Sequence, residues 1–320
     1  MAKTAVVITH WVHDEVIELL EKFFLVITNQ SRETLEQEEI LKRCLHAEGL
    51  MAFMPDRIDE AFLSHCPKLK VIAAALKGYD NINVQACTRR GIRFCIVKDL
   101  LTGPTAELAA ALLLGIGRNI IPGDRMVRNG EFKGWQPVLY GRGVSGSTVG
   151  IVGMGAIGRA LAQKLRGFGC SFVYCDPRRL DVDTESAFGL TRMVLDDLLT
   201  TSDYIVVCVP LTLDSFHLIN TSMLGRVKPG SYLVNIGRGS VVDESAVAQA
   251  LASGRLAGYA ADVFEFEDWA REDRPARIHL DLLAQKDRTL FTPHLGSAVD
   301  VTRKEIAMEA AHSIISALAN

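Results

Sequence analysis

Over the first hundred residues, short runs of β-branched and other apolar residues alternate with segments whose apolar positions recur every three or four residues. The runs Ala5–Thr9, Leu25–Thr28, Gly49–Phe53 and Val71–Ala75 predict strands. Between them, His13–Lys22 and Thr34–Ala47 predict helices. The second carries Leu35, Ile40, Leu41 and Leu45 toward a core, with Ser31 as its expected cap. Strands alternating with helices imply a parallel sheet covered on both faces. A long helix is expected from Pro104 to Gly117, because a proline in the first turn lacks only an N–H that would be unpaired anyway. Leu108 to Ile116 is apolar all round, which predicts burial between domains or at a subunit contact.

An irregular, glycine-rich stretch follows from Asn129 to Gly146, the kind of long loop that is usually functional or disordered. From Thr148 the alternation restarts. Strands are predicted at Thr148–Val152, Ser171–Cys175, Tyr204–Val209, Tyr232–Ile236, Gly258–Asp262 and Leu290–Thr292. A last helix, Val299 to Leu318, has no strand after it and is expected to pack back onto the first domain, making that domain discontinuous. The pattern as a whole predicts an α/β protein of two doubly wound parallel-sheet domains.

Composition narrows the function. A chain of 320 residues with 48% apolar content fills two cores comfortably. A net charge of −3 shows no basic face for nucleic acid or an anionic membrane. The longest charge-free apolar stretch, between Glu107 and Arg118, falls short of the roughly 20 residues a bilayer needs. At the N-terminus, Thr4–Ile8 is followed by His10, Trp11 and His13, which is not a secretion signal. Seven cysteines with no Cys-x-x-Cys pair read as reduced thiols in a cytoplasmic protein, and no metal site is expected.

Strand Thr148–Val152 feeds Gly153-Met-Gly155-Ala156-Ile157-Gly158, and a helical stripe of Ile157, Leu161 and Leu165 follows. Gly153 permits a tight turn, Gly155 lets backbone approach a pyrophosphate, and Gly158 lets helix and strand pack closely. The helix N-terminus then offers N–H groups to the phosphates. Asp176 arrives at the end of the next strand, where a carboxylate accepts hydrogen bonds from ribose hydroxyls. That arrangement predicts NAD as cofactor. Arg178 and Arg179, beside Pro177, extend the expectation to some tolerance of NADP.

Three further polar residues stand just past predicted strands. Arg238 lies in Asn235-Ile-Gly-Arg-Gly-Ser, Glu267 in Ala261-Asp-Val-Phe-Glu-Phe-Glu-Asp, and His294 in Phe291-Thr-Pro-His-Leu-Gly-Ser. A guanidinium fork binds an anion through two hydrogen bonds. A histidine exchanges a proton near neutrality, and a carboxylate on its other nitrogen fixes the tautomer. Such a set suits proton transfer beside hydride transfer. Asp262 is expected near the nicotinamide or, almost equally, as a turn cap.

In that order, the glycine turn, Asn-x-x-Arg-Gly, Asp-Val-Phe-x-x-Glu and Thr-Pro-His-x-Gly resemble the D-isomer-specific 2-hydroxyacid dehydrogenases over essentially the whole chain. The resemblance implies a homodimer with an active site in the cleft between domains. It implies a flavodoxin-like substrate domain of residues 1–100 plus 296–320 and a Rossmann NAD-binding domain of 101–295, with helix and loop 103–146 serving dimerisation. Arg238, Glu267 and His294 would be catalytic. Thr105, Pro210, Ile236, Gly237, Asp262 and Gly296 would join the glycine turn, Ala156, Ile157, Asp176 and Pro177 around the cofactor, with Arg238 and His294 reaching it as well.

Within the family, Met51-Ala-Phe-Met-Pro-Asp-Arg, Ala75-Leu-Lys-Gly-Tyr-Asp-Asn, Gly130-Glu-Phe-Lys-Gly-Trp-Gln-Pro, Glu267-Asp-Trp-Ala-Arg and His294-Leu-Gly-Ser-Ala-Val are similar to the phosphite (phosphonate) dehydrogenases. By that resemblance Lys77 and Arg238 grip a phosphite anion, and His294 takes a proton from the attacking water. Gly78, Met54, Trp135, Tyr140, Ser297 and Arg303 would complete the pocket. The alternatives are a glycerate or glyoxylate/hydroxypyruvate reductase and, from another class, a non-catalytic NAD sensor.

Overall fold

Five strands pair in parallel, in the order β2-β1-β3-β4-β5, in the computed structural model, which describes residues 3–318. They are β1 (Ala5–Ile8), β2 (Leu25–Ile27), β3 (Gly49–Ala52), β4 (Val71–Ala74) and β5 (Arg93–Ile96). Val7 sits between Ile27 and Leu50, so the most apolar runs occupy the middle of the sheet. β3 and β4 are buried at every position, because helices cover both faces. One face packs Ile40, Leu50, Phe62, Leu63 and Ile72. The other packs Val6, Ile8, Val16 and Leu20 against Ile306, Ala310 and Ile314 of the final helix, Asp300–Leu318.

A second sheet has the order β12-β11-β10-β9-β6-β7-β8, again parallel throughout. Its strands are β6 (Thr148–Val152), β7 (Ser171–Cys175), β8 (Leu190–Arg192), β9 (Tyr204–Val207), β10 (Ser231–Asn235), β11 (Leu256–Ala261) and β12 (Thr289–Phe291). The long helix, Thr102–Gly117, buries Ala106, Ala109, Leu112, Leu113 and Ile116 in this unit's own core. Its burial is therefore explained by packing on the second sheet.

The chain divides into two compact units. The first contains everything through Leu101, together with Trp269–Asp273 and the segment from Ser297. The second contains Thr102–Asp268 and Arg274–Gly296. The short return at Trp269–Asp273 was not expected from the pattern; Glu272 pairs there with Arg57 at 3.2 Å.

Other expectations are also adjusted. The helix read as Thr34–Ala47 spans only Gln37–Cys44, with Glu36 at its start. Ser31 instead donates to Asn29 Oδ1 at 2.8 Å, so it caps nothing. No single helix among the described residues is long and apolar enough to cross a membrane. All seven cysteines are free.

Candidate active site

In the second sheet the chain reverses direction between β6 and β9, and ligands of open α/β sheets gather at the carboxyl ends of strands beside such a point. β6 exits there into Gly153, whose φ of +95° lies in the region that favours glycine. A Cβ at Gly153 would come 2.6 Å from Val209 Cγ1, and one at Gly158 would collide with the Gly153 carbonyl. Both glycines are demanded by the protein's own packing. Gly155 is different: a Cβ there would meet no protein atom within 4 Å, so the space beside it is open.

Ala156 and Ile157 open the helix Ala156–Leu165, whose first N–H groups have no intrahelical acceptor and attract phosphate. Asp176, just past β7, accepts from Met154 N at 2.8 Å and from Arg178 N at 2.9 Å. It thereby ties the glycine turn to the end of β7. A carboxylate offers about four lone-pair sites, so two remain for ribose hydroxyls. These residues fit a dinucleotide.

The expected role of Arg179 changes: its guanidinium pairs with Glu185 at 2.9 Å. Arg192, which the sequence reading missed, reaches the carbonyls of Asp176 at 2.9 Å and Pro177 at 3.3 Å. Pro210 follows Val209 at the exit from β9, and its carbonyl accepts from Ser215 Oγ at 2.7 Å.

Val209 links the glycine turn to the arginine turn. A Cβ at Gly237 would collide with the Val209 carbonyl, as one at Gly239 would with the Phe264 carbonyl carbon. Both flanks of Arg238 are thus held by backbone contact. Asn235, fully buried, clamps the same turn: its Oδ1 accepts from Gly237 N at 3.1 Å and its Nδ2 donates to Arg238 O at 2.9 Å. Arg238 is half-buried and donates from Nη1 to Gly237 O at 2.9 Å.

Glu267 closes the short turn Glu265–Glu267 after β11. Its Oε1 accepts from Phe264 N at 2.8 Å, and its Oε2 meets His294 Nδ1 at 2.9 Å. The carboxylate fixes a proton on Nδ1, which leaves Nε2 as the nitrogen that gives or takes one. His294 has a φ of +53°, an unusual conformation for a residue with a side chain.

Asp262 holds the His294 turn in place. Its carboxylate accepts from Thr292 Oγ1 at 2.6 Å, Leu295 N at 2.6 Å and Gly296 N at 2.9 Å, while its carbonyl accepts from His294 N at 2.9 Å. Burial pushes its pKa up and these donors pull it back. Of its two expected roles, the structure displays the turn cap. Thr105 is packed against Gly296, 3.1 Å from where a Cβ would lie.

A brace that sequence reading missed joins the arginine and glutamate turns. Asp268 Oδ2 accepts from Ser240 N at 2.6 Å. Glu265 and Glu244 each accept the other's backbone N–H, at 2.9 and 3.0 Å. His217 donates its N–H to Ser240 O at 2.8 Å, and its Nε2 meets Glu265 Oε2 at 2.9 Å. Burial raises the pKa of Glu244 against the pull of those backbone donors.

The remaining pocket residues are distributed as follows. Lys77 and Gly78 follow β4 in the first unit, and Met54 packs against that unit's core. Arg303 Nη1 donates to Ser297 Oγ at 3.4 Å in the same unit. Trp135 and Tyr140 lie on the irregular stretch of the second unit, 83% and 78% exposed, without a hydrogen bond or ring contact among the described residues. The structure does not bring these two against the catalytic set.

A glycine turn that fits a dinucleotide, a half-buried arginine and a histidine–carboxylate pair in one doubly wound unit fit a nicotinamide-dependent dehydrogenase. Comparison with known proteins agrees. Residues 110–296 match the family described as D-isomer specific 2-hydroxyacid dehydrogenase, NAD binding domain. A glyoxylate reductase of Pyrococcus horikoshii is 37% identical over 319 residues, covering 98% of this chain and 92% of its own. Among solved structures, the TT0316 protein of Thermus thermophilus aligns with a TM-score of 0.89 and 33% identity, covering 99% of this chain and 97% of its own. A D-lactate dehydrogenase of Aquifex aeolicus, complexed with NAD and lactic acid, aligns with a TM-score of 0.83 and 26% identity over 98% and 94% of the two chains.

The chain belongs to the D-isomer specific 2-hydroxyacid dehydrogenase family and is an NAD-dependent oxidoreductase. The narrower likeness to phosphite dehydrogenases is not what these relatives carry in their names: the Pyrococcus horikoshii protein, like a similar one of Thermococcus onnurineus, is called glyoxylate reductase.

Proposed function

We propose that this enzyme interconverts a small 2-oxo acid, of the size of glyoxylate or hydroxypyruvate, and the corresponding 2-hydroxy acid, in the D form where its C2 is chiral. The observation that carries the reading is the His294–Glu267 pair at 2.9 Å, on a turn capped by Asp262, in the unit that also holds Arg238 and the glycine turn. The names of the similar proteins support glyoxylate in particular.

NAD, when bound, supplies the hydride acceptor or donor. The rest falls to the chain. Arg238 holds the substrate carboxylate through charge-assisted hydrogen bonds. In reduction, His294 Nε2 gives its proton to the oxygen that becomes the hydroxyl, and in oxidation it takes that proton back. Glu267 stabilises the imidazolium between the two. The fixed turns around Arg238 and His294 supply orientation without reorganisation during reaction.

A second reading, oxidation of phosphite, draws its support from the sequence segments around Lys77 and Trp135. A phosphorus oxyanion can carry two charges and calls for more cations than a monocarboxylate. In that reading His294 takes a proton from a water whose oxygen bonds to phosphorus, while hydride leaves the P–H bond. Oxidation of NADH on adding glyoxylate or hydroxypyruvate, against formation of NADH on adding phosphite, separates the two. Failure of all three substrates with NADH binding intact would overturn both readings and favour a sensor.

As to assembly, we propose a homodimer. Its support is a run of exposed apolar side chains at Val127, Phe132, Val138 and Leu139, with Trp135 and Tyr140 among them.

A further inference from the structure

The adenosine end of the cofactor meets the turn that follows β7, and every residue of that turn lies in the second unit. Asp176 has lone pairs there for ribose hydroxyls. The 2′-phosphate of NADP would instead set about 1.5 to 2 negative charges against that carboxylate. Like charges so placed repel, and arginines are what neutralise a phosphate. NAD, with only hydroxyls at this position, needs none.

Three arginines stand in or beside the turn. Arg192 reaches across from β8 and is engaged by the carbonyls of Asp176 and Pro177. Arg179 makes a two-pronged pair with Glu185, from Nε to Oε1 at 3.1 Å and from Nη2 to Oε2 at 2.9 Å. Two N–H donors on two carboxylate oxygens fix a guanidinium in orientation as well as in place. Arg178 gives its backbone N–H to Asp176, and its side chain pairs with no acid among the described residues. One guanidinium is thus left to face a phosphate that Asp176 already opposes.

Glu185 is itself held in position. The helix Val182–Phe188 starts at Asp181, whose side chain accepts from Thr184 N at 2.7 Å, and Glu185 stands in its first turn. Its side chain is only 11% exposed, and Tyr174 Oη donates to Oε1 at 2.6 Å. Leu180 N in turn donates to Tyr174 Oη at 3.1 Å, which closes a ring of contacts around the turn. Arg179 and Tyr174 hold the Glu185 carboxyl below its ordinary range, so it stays charged and keeps its partner.

We propose that Glu185 sets the choice of NAD over NADP by withholding Arg179 from the 2′-phosphate. Asp176 repels that phosphate, and Glu185 removes an arginine that would offset the repulsion. Glu185 is a positioning residue that acts through Arg179, and it does so whichever substrate the enzyme takes.

The test is binding rather than turnover. Fluorescence titration gives Kd for NADH and for NADPH in wild type, in Glu185→Gln and in Glu185→Gln/Arg179→Gln. Glutamine still accepts from Tyr174 but carries no charge to hold Arg179. In Glu185→Gln the Kd for NADPH is expected to fall about tenfold, the size of one charge-assisted hydrogen bond at an exposed site. The Kd for NADH should stay within about twofold of wild type, since ribose hydroxyls call for no arginine. The double variant should return to the wild-type value for NADPH.

An unchanged NADPH:NADH ratio in Glu185→Gln, with circular dichroism as in wild type, overturns the proposal. A parallel weakening of both cofactors also overturns it, because Glu185 would then only support the turn. A gain for NADPH that survives Arg179→Gln does the same, since the freed guanidinium would not be its cause. If Glu185→Gln does not fold, Glu185→Met, neutral and of similar length, replaces it in both titrations with the same expected outcomes.

Discussion

Asp56→Asn tests the electrostatics beneath the first unit's strand ends. Asp56 is almost fully buried, and burial pushes its pKa from 3.8 up to about 7 against the pull of Thr9 and Phe53. A raised folded-state pKa contributes stability that is complete below the unfolded value and is lost as pH climbs toward the folded one. At ~1.36 kcal/mol per unit, the whole span amounts to about 4 kcal/mol. An asparagine in the same pose still accepts from Thr9 and Phe53 through its carbonyl, but has nothing to ionise. Urea unfolding followed by tryptophan fluorescence should show the variant gaining on wild type by about 2 kcal/mol between pH 5 and 7. No further gain is expected between pH 8 and 9. His10, held to about 4, titrates below this window. Parallel stability profiles for the two proteins would refute the reasoning, because they would mean that Asp56 is already ionised at pH 5.

Two other perturbations follow from the second unit's turns. Gly155→Ala should keep the wild-type Tm but weaken NADH binding in a fluorescence titration by about tenfold or more, whereas Gly158→Ala should lower Tm as well, because only the second collides with protein backbone. Asp262→Asn replaces a carboxylate that accepts three hydrogen bonds and should cost about 2–4 kcal/mol of stability. Its kcat should fall more than its NADH affinity, and an unchanged kcat would show that the turn needs no cap.

What could be read from the sequence follows from how each part is stabilised. Central strands such as β3, β4 and β9 are apolar at every position because both faces are covered, so they announce themselves. β5 and β8 escaped notice. Each is an edge strand, and Arg93 in one and Thr191 and Arg192 in the other face solvent. The helix Ile120–Arg128 was hidden by Pro122 and Gly123, which punctuate a pattern even where the chain stays helical.

The residues proposed as catalytic could be picked out because each stands within a few positions of a strand end and beside residues that tolerate tight turns. Their supports could not. Glu244, Asp268 and His217 act on backbone groups distant along the chain, and no periodicity or spacing encodes that. Arg192 was missed for the same reason: it reaches carbonyls of Asp176 and Pro177 from an edge strand not recognised as one.

Of the histidine–carboxylate pairs among the described residues, the two shortest, His294–Glu267 and His217–Glu265, are equal in length and their rings nearly equal in exposure. Distance and exposure therefore do not choose the acid–base pair, but connectivity does. Glu265 spends its other oxygen on Glu244 N, and His217 is stacked on Phe216 with centroids 4.0 Å apart while its N–H holds Ser240. Every group in that pair is bound to the arginine or glutamate turn, so its work is to keep those turns in register. Glu267 holds only its own turn and the ring of His294, and leaves Nε2 for chemistry. His294→Ala should thus lower kcat by about a hundredfold or more, the usual range for a lost general acid–base. His217→Ala should lower it far less and raise KM, as Arg238 loses its fixed position, and His217→Gln should recover part of the loss by restoring a donor to Glu265. If His217→Ala instead abolished turnover while His294→Ala spared it, the two pairs would have to exchange roles.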